Sequence, residues 1–228
     1  MLCKWEELPS FMQTPEVWKY YQKLSKCRLM LYIKRTFDFM MSTIMLVLFV
    51  PVFLCLAICI KLDSPGAIFY RQERVTQYGR IFNIYKFRTM VEDADRKGSL
   101  VTINQDERIT KIGKKLRKYR LDELPQLINI WKGEMSFVGT RPEVVKYVKK
   151  YTKEMYATLL LPAGVTSSAS IRFKDEEKIL NYVKITDIDK TYIKEILPQK
   201  MSWNLKELLN FSIVSDLKYL ILTLIKIL

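Results

Sequence analysis

The sequence contains no histidine among its 228 residues, and this absence excludes several kinds of catalytic site. Without imidazole there is no Ser-His-Asp or Cys-His arrangement, no HExxH zinc site and no phosphotransfer through histidine. Carboxylates, lysine, tyrosine, cysteine and a metal held by oxygen ligands remain as the chemistry available to the chain.

Cysteine and glycine motifs are also scarce. The four cysteines, at positions 3, 27, 55 and 59, form no CxxC pair, and the last two lie at helical spacing inside an apolar run. In such a run cysteine behaves as a small hydrophobic residue, so we expect no disulfide framework, no zinc site and a reducing, cytoplasmic setting. The patterns GxGxxG and GxxxxGK[ST] are absent, so neither a dinucleotide-binding fold nor a P-loop is indicated.

Negative charge is in deficit. Lysine and arginine number 38 against 24 aspartates and glutamates, which gives a formal net charge of +14. This excess indicates an acidic partner: nucleic acid, anionic lipid headgroups or a phosphorylated substrate. The length predicts one domain with appendages, and 49% hydrophobic residues are enough for a core of ordinary size.

One apolar segment, residues 40–60, carries no charge over 21 residues and is long enough for a bilayer core. It begins too far into the chain for a signal peptide. Pro51 lies near its centre, and Lys34, Arg35 and Lys61 place cations on both flanks, although only one side of a membrane normally carries such an excess. A helix that enters, bends at Pro51 and returns to the same leaflet fits this pattern, and a proline-kinked helix that crosses fully fits equally well.

The sequence KRTFD at residues 34–38 favours the re-entrant alternative. Lys34, Arg35 and Asp38 are expected on one amphipathic turn at the membrane interface, where Arg35 and Asp38 are three residues apart and able to pair. With either topology we expect a membrane-bound protein.

The rest of the chain alternates between short elements. Residues 1–30 carry aromatic side chains among charges, which fits an interfacial amphipathic segment or an ordinary packed helix. Two strands joined around Gly79 are predicted within residues 63–90. A polar loop with solvated acids at positions 93 and 95 follows within residues 91–110.

Further along, residues 108–139 predict a basic helix, a break near Asp122 and a second helix that ends at Gly133, with Pro125 in its first turn. Loops are expected at VGTRPE and LPAGVTSSASIRF. The tail, residues 191–228, is amphipathic and typical of a face laid against lipid or against a membrane helix.

Asp122 and Glu123 stand side by side in YRLDELPQL, between two leucines in a lysine- and arginine-rich region. Acidic residues suit the positive end of a helix dipole, so the pair has a purely structural explanation in the first turn of the second helix. The alternative is catalytic, because carboxylates are prominent among the groups left once histidine is excluded.

Five motifs in fixed order carry a family resemblance: KRxxD, SPG with RQER, IYKFRTM, LDELPQL continuing to KGEMSFVGTRP, and PAGVTS. The chain resembles, over residues 31–228, the bacterial sugar transferases that start glycoconjugate assembly, the monotopic polyprenol-phosphate phosphoglycosyl transferases. The resemblance implies transfer of a sugar-1-phosphate from a UDP-sugar to undecaprenyl phosphate, with release of UMP, as the first membrane step of a capsule, O-antigen, exopolysaccharide or protein glycan.

The resemblance also implies roles for individual residues. Asp122 is the expected nucleophile that carries the phosphosugar, Glu123 is its partner, and both are the expected ligands of Mg²⁺. A carboxylate attacks phosphorus without prior deprotonation, so this chemistry needs no histidine base.

Cations near the acid pair are the expected phosphate contacts. Lys86 in YKFR, Arg117 and Arg141 in TRP are assigned in this way. The segment after PAGVT departs from the common family pattern, and Arg172 lies near it in a different register, so Arg172 is the least direct of these assignments and the identity of the sugar stays open.

The expected fold is α+β and mainly α: a membrane-associated chain with one Pro-broken re-entrant helix and a small cytosolic catalytic domain that contains a β-hairpin and amphipathic interfacial helices. We divide it into an N-terminal amphipathic extension, 1–30, the re-entrant helix, 31–62, and the cytosolic domain, 63–228. The expected location is the cytoplasmic face of the bacterial inner membrane.

The expected partners are the UDP-sugar, undecaprenyl phosphate and anionic lipid headgroups, with a homo-oligomer left open. The alternatives are a basic peripheral membrane protein, which leaves LDELPQL and FVGTRP unexplained, and a multi-span transferase, which needs more than one apolar segment. A nucleic-acid binder, which would not need that segment, is ranked last.

Overall fold

A computed structural model describes residues 2–92, 94, 107–173 and 188–227. The chain is mainly helical, with two small two-stranded sheets. The helices are α1 Pro15–Ser25, α2 Arg28–Leu48, α3 Val50–Asp63, α4 Lys111–Lys118, α5 Gln126–Lys132, α6 Val145–Val148, α7 Ser168–Arg172, α8 Ile188–Thr191, α9 Leu197–Leu209 and α10 Ile213–Ile227. The strands are β1 Phe69–Val75, β2 Ile81–Phe87, β3 Met135–Val138 and β4 Ala163–Thr166, and the predicted loop acids Asp93 and Asp95 lie outside the described residues.

Helices α2 and α3 form the bent apolar pair, and they meet at 60°. Phe49 separates them and Pro51 is the second residue of α3, where proline fits because a first-turn N–H has no partner within its own helix. The bend therefore lies where the sequence predicted it. Within the described residues, neither helix by itself is long and apolar enough to cross a bilayer, whereas the bent pair together is, by length and composition.

The first end of this pair is attached to β3 and α10 through KRTFD. Lys34 Nζ donates to the Val138 carbonyl at 2.8 Å and to Asp216 of α10 at 2.5 Å. Asp38 is buried and accepts a hydrogen bond from the Phe137 amide at 3.2 Å. The motif thus contacts protein instead of only lining a membrane interface.

The predicted pair between Arg35 and Asp38 is not observed. It does not pair with Asp38 but donates to the carbonyls of Ile130 and Trp131, at 2.7 and 2.9 Å, in the last turn of α5. The end of a helix leaves carbonyls without partners inside the helix, and a guanidinium satisfies them and suits the negative end of the dipole. Gly133 ends α5 with φ of 82°, as expected from the sequence.

The second end of the pair is attached to α4 and to Arg88, which follows β2. Asp63 Oδ2 accepts the Ile112 amide in the first turn of α4 at 2.8 Å. Arg88 donates to the carbonyls of Ser64 and Pro65, at 2.6 and 2.7 Å, just beyond the end of α3. Both ends of the bent pair therefore contact one folded unit.

Strands β1 and β2 form the predicted antiparallel hairpin, in which Tyr70 lies opposite Lys86. The buried Asn129 of α5 fixes the hairpin to that helix: its Oδ1 accepts the Tyr85 amide at 3.0 Å and its Nδ2 donates to the Asn83 carbonyl at 2.8 Å. The side chain of Asn129 thus connects the hairpin to α5, which begins just after the acid pair.

Strands β3 and β4 are parallel and were not predicted: β4 and Val138 lie in segments that were assigned to loops, and the rest of β3 was given no element. Val138 pairs with Thr166. Gly164 makes this pairing close, because a Cβ added there would lie 2.1 Å from the Gly139 amide nitrogen. Its own amide donates to the Thr140 carbonyl at 2.8 Å, which fixes the residue before Arg141.

The largest apolar core decides between the two alternatives for the start of the chain and corrects one expectation about its end. Helix α1 buries Val17, Tyr20 and Leu24 in it, so the packed-helix alternative for residues 1–30 is the observed one. Helix α9, which was expected at a lipid interface, buries Met201 and Leu205 in the same core. By contrast, α10 exposes large apolar side chains at Val214, Leu217, Ile221, Leu224 and Ile225.

Candidate active site

The acid pair lies in a tight turn between α4 and α5. Arg120 adopts the left-handed conformation, with φ of 54°, and a single 3-10 turn, Leu121–Glu123, follows it. Leu121 and Leu124 pack on the apolar cluster around Phe87. The two leucines that flank the acid pair thus anchor the turn on this cluster.

Asp122 is buried and receives no hydrogen bond from any residue that the structure describes. Burial raises the pKa of its carboxyl, and Glu123 adds to this effect, while the charges of Lys86, Arg117 and Arg120 oppose it. A desolvated carboxylate without hydrogen bonds holds its electron pairs less tightly, so it is a better nucleophile than a solvated one.

Glu123 has the opposite environment. Lys86 Nζ lies 2.9 Å and Arg141 Nη2 lies 2.5 Å from Glu123 Oε1. Burial acts to raise the pKa of Glu123, but the attraction and hydrogen bonds of Arg141 and Lys86 outweigh it and hold the pKa well below its usual range. The two neighbouring carboxyls are thus driven apart in pKa, which is a common property of catalytic acid pairs.

The structure brings three of the four predicted cations to this pair. Lys86 and Arg141 bind Glu123, and Arg141 Nη1 also lies 3.4 Å from the Val165 carbonyl of β4. Arg117 donates from Nε to Thr89 Oγ1 at 2.9 Å, and its charge acts on Asp122. Sequence reasoning overlooked Thr89, although it lies inside the motif IYKFRTM.

Arg172, the fourth cation, is placed elsewhere. Its guanidinium stacks on the Trp203 ring of α9, 3.8 Å from the ring centroid. None of its described contacts reaches Asp122 or Glu123. Since Trp203 is far along the sequence from PAGVT, no local pattern indicated this partner.

The start of α7, just after β4, is held by a carboxylate that was not predicted. Glu207 Oε1 of α9 accepts the Ser168 amide at 2.8 Å. Burial raises the pKa of Glu207 to about 7, helped by Asp216, while the Ser168 hydrogen bonds and Lys34 oppose the shift. The ionised form is therefore disfavoured in the folded chain.

This shift predicts a pH-dependent stability. The pKa of Glu207 is higher in the folded chain than the ordinary 4.5, so the folded state binds more protons and stability falls as pH rises from about 4.5 to about 7. Between pH 5 and pH 8 the free energy of unfolding of Glu207→Gln should rise by about 2 kcal/mol relative to that of the parent protein, measured by denaturant unfolding. Glu195→Gln removes an exposed glutamate and is the control; an equal response of both variants would contradict the prediction.

Of the two acids, only Asp122 has its carboxylate oxygens available for the expected magnesium ion, which would take most of its ligands from water and substrate. The described residues contain no group of three or more His, Cys, Asp or Glu side chains that could hold a metal. Glu123 is occupied by two cations, whereas the oxygens of Asp122 have no described hydrogen-bond donor. Because Mg²⁺ usually binds through one or two carboxylates together with phosphate oxygens, Asp122 fits it better than Glu123.

Comparisons with known proteins agree with the motifs. Residues 29–228 match the family described as bacterial sugar transferase. A UDP-N-acetylgalactosamine-undecaprenyl-phosphate N-acetylgalactosaminephosphotransferase of Aeromonas hydrophila is 40% identical over 144 residues, which are 61% of this chain and 34% of that protein. A putative undecaprenyl-phosphate N-acetylgalactosaminyl 1-phosphate transferase of Bacillus subtilis is 42% identical over 55% of this chain and 70% of its own length.

A third relative has another sugar in its name. The UDP-glucose:undecaprenyl-phosphate glucose-1-phosphate transferase of Escherichia coli is 37% identical over 72% of this chain and 36% of its own length. The matched region thus spans about a third of the Aeromonas and Escherichia proteins and most of the Bacillus protein.

Proposed function

The chain belongs to the bacterial sugar transferase family, and from that premise we propose that it transfers a sugar-1-phosphate from a UDP-sugar to undecaprenyl phosphate. The names of the relatives supply the acceptor and the class of donor. The observation that carries the proposal is the buried carboxylate of Asp122, which accepts no hydrogen bond from the described part of the chain, beside an ion-paired Glu123 and three cations.

The reaction has two displacements at one phosphorus. In the first, an Asp122 oxygen attacks the sugar-bearing phosphorus, and the bond to the bridging oxygen breaks with its electron pair going to UMP. In the second, an oxygen of undecaprenyl phosphate attacks the same phosphorus, and the bond to Asp122 breaks. The product is a diphosphate-linked lipid sugar, the carboxylate is restored, and no proton transfer is required.

The cations stabilise charge in both steps. Arg141 and Lys86, already held together by Glu123, are expected to bind the phosphate oxygens, and Arg117 is expected to add its charge close to Asp122. When bound, Mg²⁺ neutralises pyrophosphate charge, and Asp122 is the residue that would hold it. Glu123 then serves mainly to fix the two cations in place.

We also propose that α2 and α3 enter the membrane from the cytoplasmic face and return to it. Three observations support this topology: both ends of the pair contact one folded unit, the pair bends by 60°, and its outer surface is apolar. A complete crossing would place Arg35 and Asp63 on opposite sides of the bilayer, away from their partners. The net charge of +14 suits an anionic headgroup surface.

The activity is tested with purified protein, a UDP-sugar, Mg²⁺ and undecaprenyl phosphate. We expect continuous UMP release when both substrates are present, and about one UMP per protein with donor alone, as a covalent intermediate requires. A peripheral membrane protein that only binds lipid gives no UMP in either mixture. Steady release without acceptor would contradict transfer to the lipid.

The topology predicts a labelling pattern. In a cysteine-free variant, single cysteines replace Leu29, Leu48 and Leu62, which are 73%, 67% and 83% exposed in the protein alone. We expect an impermeant maleimide added to inverted membrane vesicles to label the positions 29 and 62 but not 48, which lies at the bend within lipid. Labelling of 29 and 62 from opposite faces would show a full crossing.

A further inference from the structure

The segment that carries Arg141 is fixed by the hairpin. Arg74 Nη1 donates to the Pro142 carbonyl at 3.1 Å, and the Val75 amide donates to the Glu143 carbonyl at 3.0 Å. The main chain on the far side of Arg141 is therefore attached to β1, while its side chain points to Glu123.

The Glu143 side chain is bound by residues from much later in the sequence, and its charge also acts on the partly buried Arg74 of β1. The Tyr192 hydroxyl donates to Glu143 Oε1 at 2.5 Å. Lys200 Nζ of α9 lies 3.0 Å from that hydroxyl oxygen and 3.5 Å from Glu143 Oε1. The side chains of Glu143, Tyr192 and Lys200 are all buried.

Such a network needs an explanation beyond folding. A buried carboxylate and a buried ammonium lose their hydration, and replacing such pairs by apolar residues is often neutral or stabilising. The network is separated from Arg141 by one residue only, and that residue is Pro142, whose ring restricts the backbone between them. We therefore expect a displacement of Glu143 to move Arg141 with it.

We infer that Glu143, Tyr192 and Lys200 are positioning residues that hold Arg141 against Glu123, in the orientation that binds the donor phosphates. None of the three is expected to touch substrate. This inference rests on the proposed function, since it takes Arg141 as a ligand of the UDP-sugar, and it assigns part of the donor site to α9 and to the turn before it.

Two tyrosines provide a matched test. Tyr192→Phe removes the hydroxyl that binds Glu143 and keeps the ring, which lies 4.6 Å from the ring of Tyr147. Tyr147→Phe is the control: it removes a hydroxyl that donates to Asp189 at 2.7 Å, a carboxylate with no described link to Arg141. We expect Tyr192→Phe to raise KM for the UDP-sugar and Kd for UDP about tenfold, and Tyr147→Phe to change either less than twofold.

Repeating the substitution in an Arg141→Lys variant shows whether Tyr192→Phe weakens UDP binding through Arg141. With Arg141→Lys already present, Tyr192→Phe should change the UDP affinity less than twofold, because the group that it positions has been replaced. A full tenfold effect in that background, or equal effects of the two tyrosine variants, would overturn the inference. Melting temperatures of both single variants should agree within a few degrees, which excludes general unfolding as the cause.

The UDP affinity, measured independently of UMP release, distinguishes this inference from the proposed function. If the parent protein and Tyr147→Phe bind UDP about tenfold more tightly than Tyr192→Phe, but the parent never releases UMP from a UDP-sugar, the proposed function is wrong and the positioning network is supported. If the protein releases UMP and the order of affinities is absent, the network is wrong and the function stands. If it does not bind UDP at all, both are wrong.

Discussion

Asp122→Asn is expected to lower UMP release at least about 10⁴-fold, because an amide oxygen is a poor nucleophile and the covalent intermediate no longer forms. The variant should fold normally. It replaces a buried carboxylate that receives no described hydrogen bond by a neutral group of the same shape, so the melting temperature is expected to stay equal or rise. Loss of activity together with unchanged or higher stability distinguishes a catalytic residue from a structural one.

Mass spectrometry after incubation with donor alone gives the direct readout. The parent protein should gain the mass of one phosphosugar on the peptide that contains Asp122, and the variant should gain none. Asp189→Asn, the same chemical change at a half-exposed surface carboxylate, is the control and should keep both the adduct and the turnover. If Asp122→Asn keeps a tenth or more of the activity, the covalent route is excluded.

Arg141→Ala has the second-largest expected effect. It removes a phosphate ligand and one of the two cations that hold Glu123, and we expect kcat/KM for the UDP-sugar to fall by about 10² to 10³. Arg141→Lys should recover part of this loss, since lysine restores the charge but not the two parallel hydrogen bonds.

The expected effect of Arg141→Ala on the free energy of unfolding is small. About a third of the Arg141 side chain is exposed, at 34%, and Lys86 still pairs with Glu123 in the variant, so we expect unfolding to become easier by only about 1 kcal/mol. Arg80→Ala, at an exposed arginine, is the control for kcat/KM and for chemical denaturation. Equal kcat/KM for the two alanine variants would remove Arg141 from the donor site.

Local patterns in the sequence were sufficient for the elements around the acid pair. The bend near Pro51, the hairpin around Gly79 and the end of α5 at Gly133 all depend on residues whose backbone preferences act over a few positions. Motif order then indicated Lys86, Arg117 and Arg141 as cations near the acid pair; the structure brings the charges of Lys86 and Arg117 to Asp122 and pairs Arg141 with Glu123, while their role as phosphate contacts stays a prediction.

Local patterns did not predict the contacts between segments that are distant in the sequence. Strands β3 and β4 have four residues each and pair in parallel across a long connection, so neither shows a usable alternation. The partners of Arg35, Arg172 and Glu143 likewise lie dozens of residues away. Amphipathic character alone did not separate α9, which faces protein, from α10, which exposes its apolar residues.

On the proposed re-entrant topology, the attachment of the bent pair at both Arg35 and Asp63 has a consequence for how the chain responds to its bilayer. An anchor that returns to the leaflet it entered takes its depth from that leaflet alone. The reacting carboxylate is then held at one height above the acyl chains, whether the opposite leaflet is near or far. Catalysis in vesicles should accordingly follow headgroup charge closely and vary little with chain length.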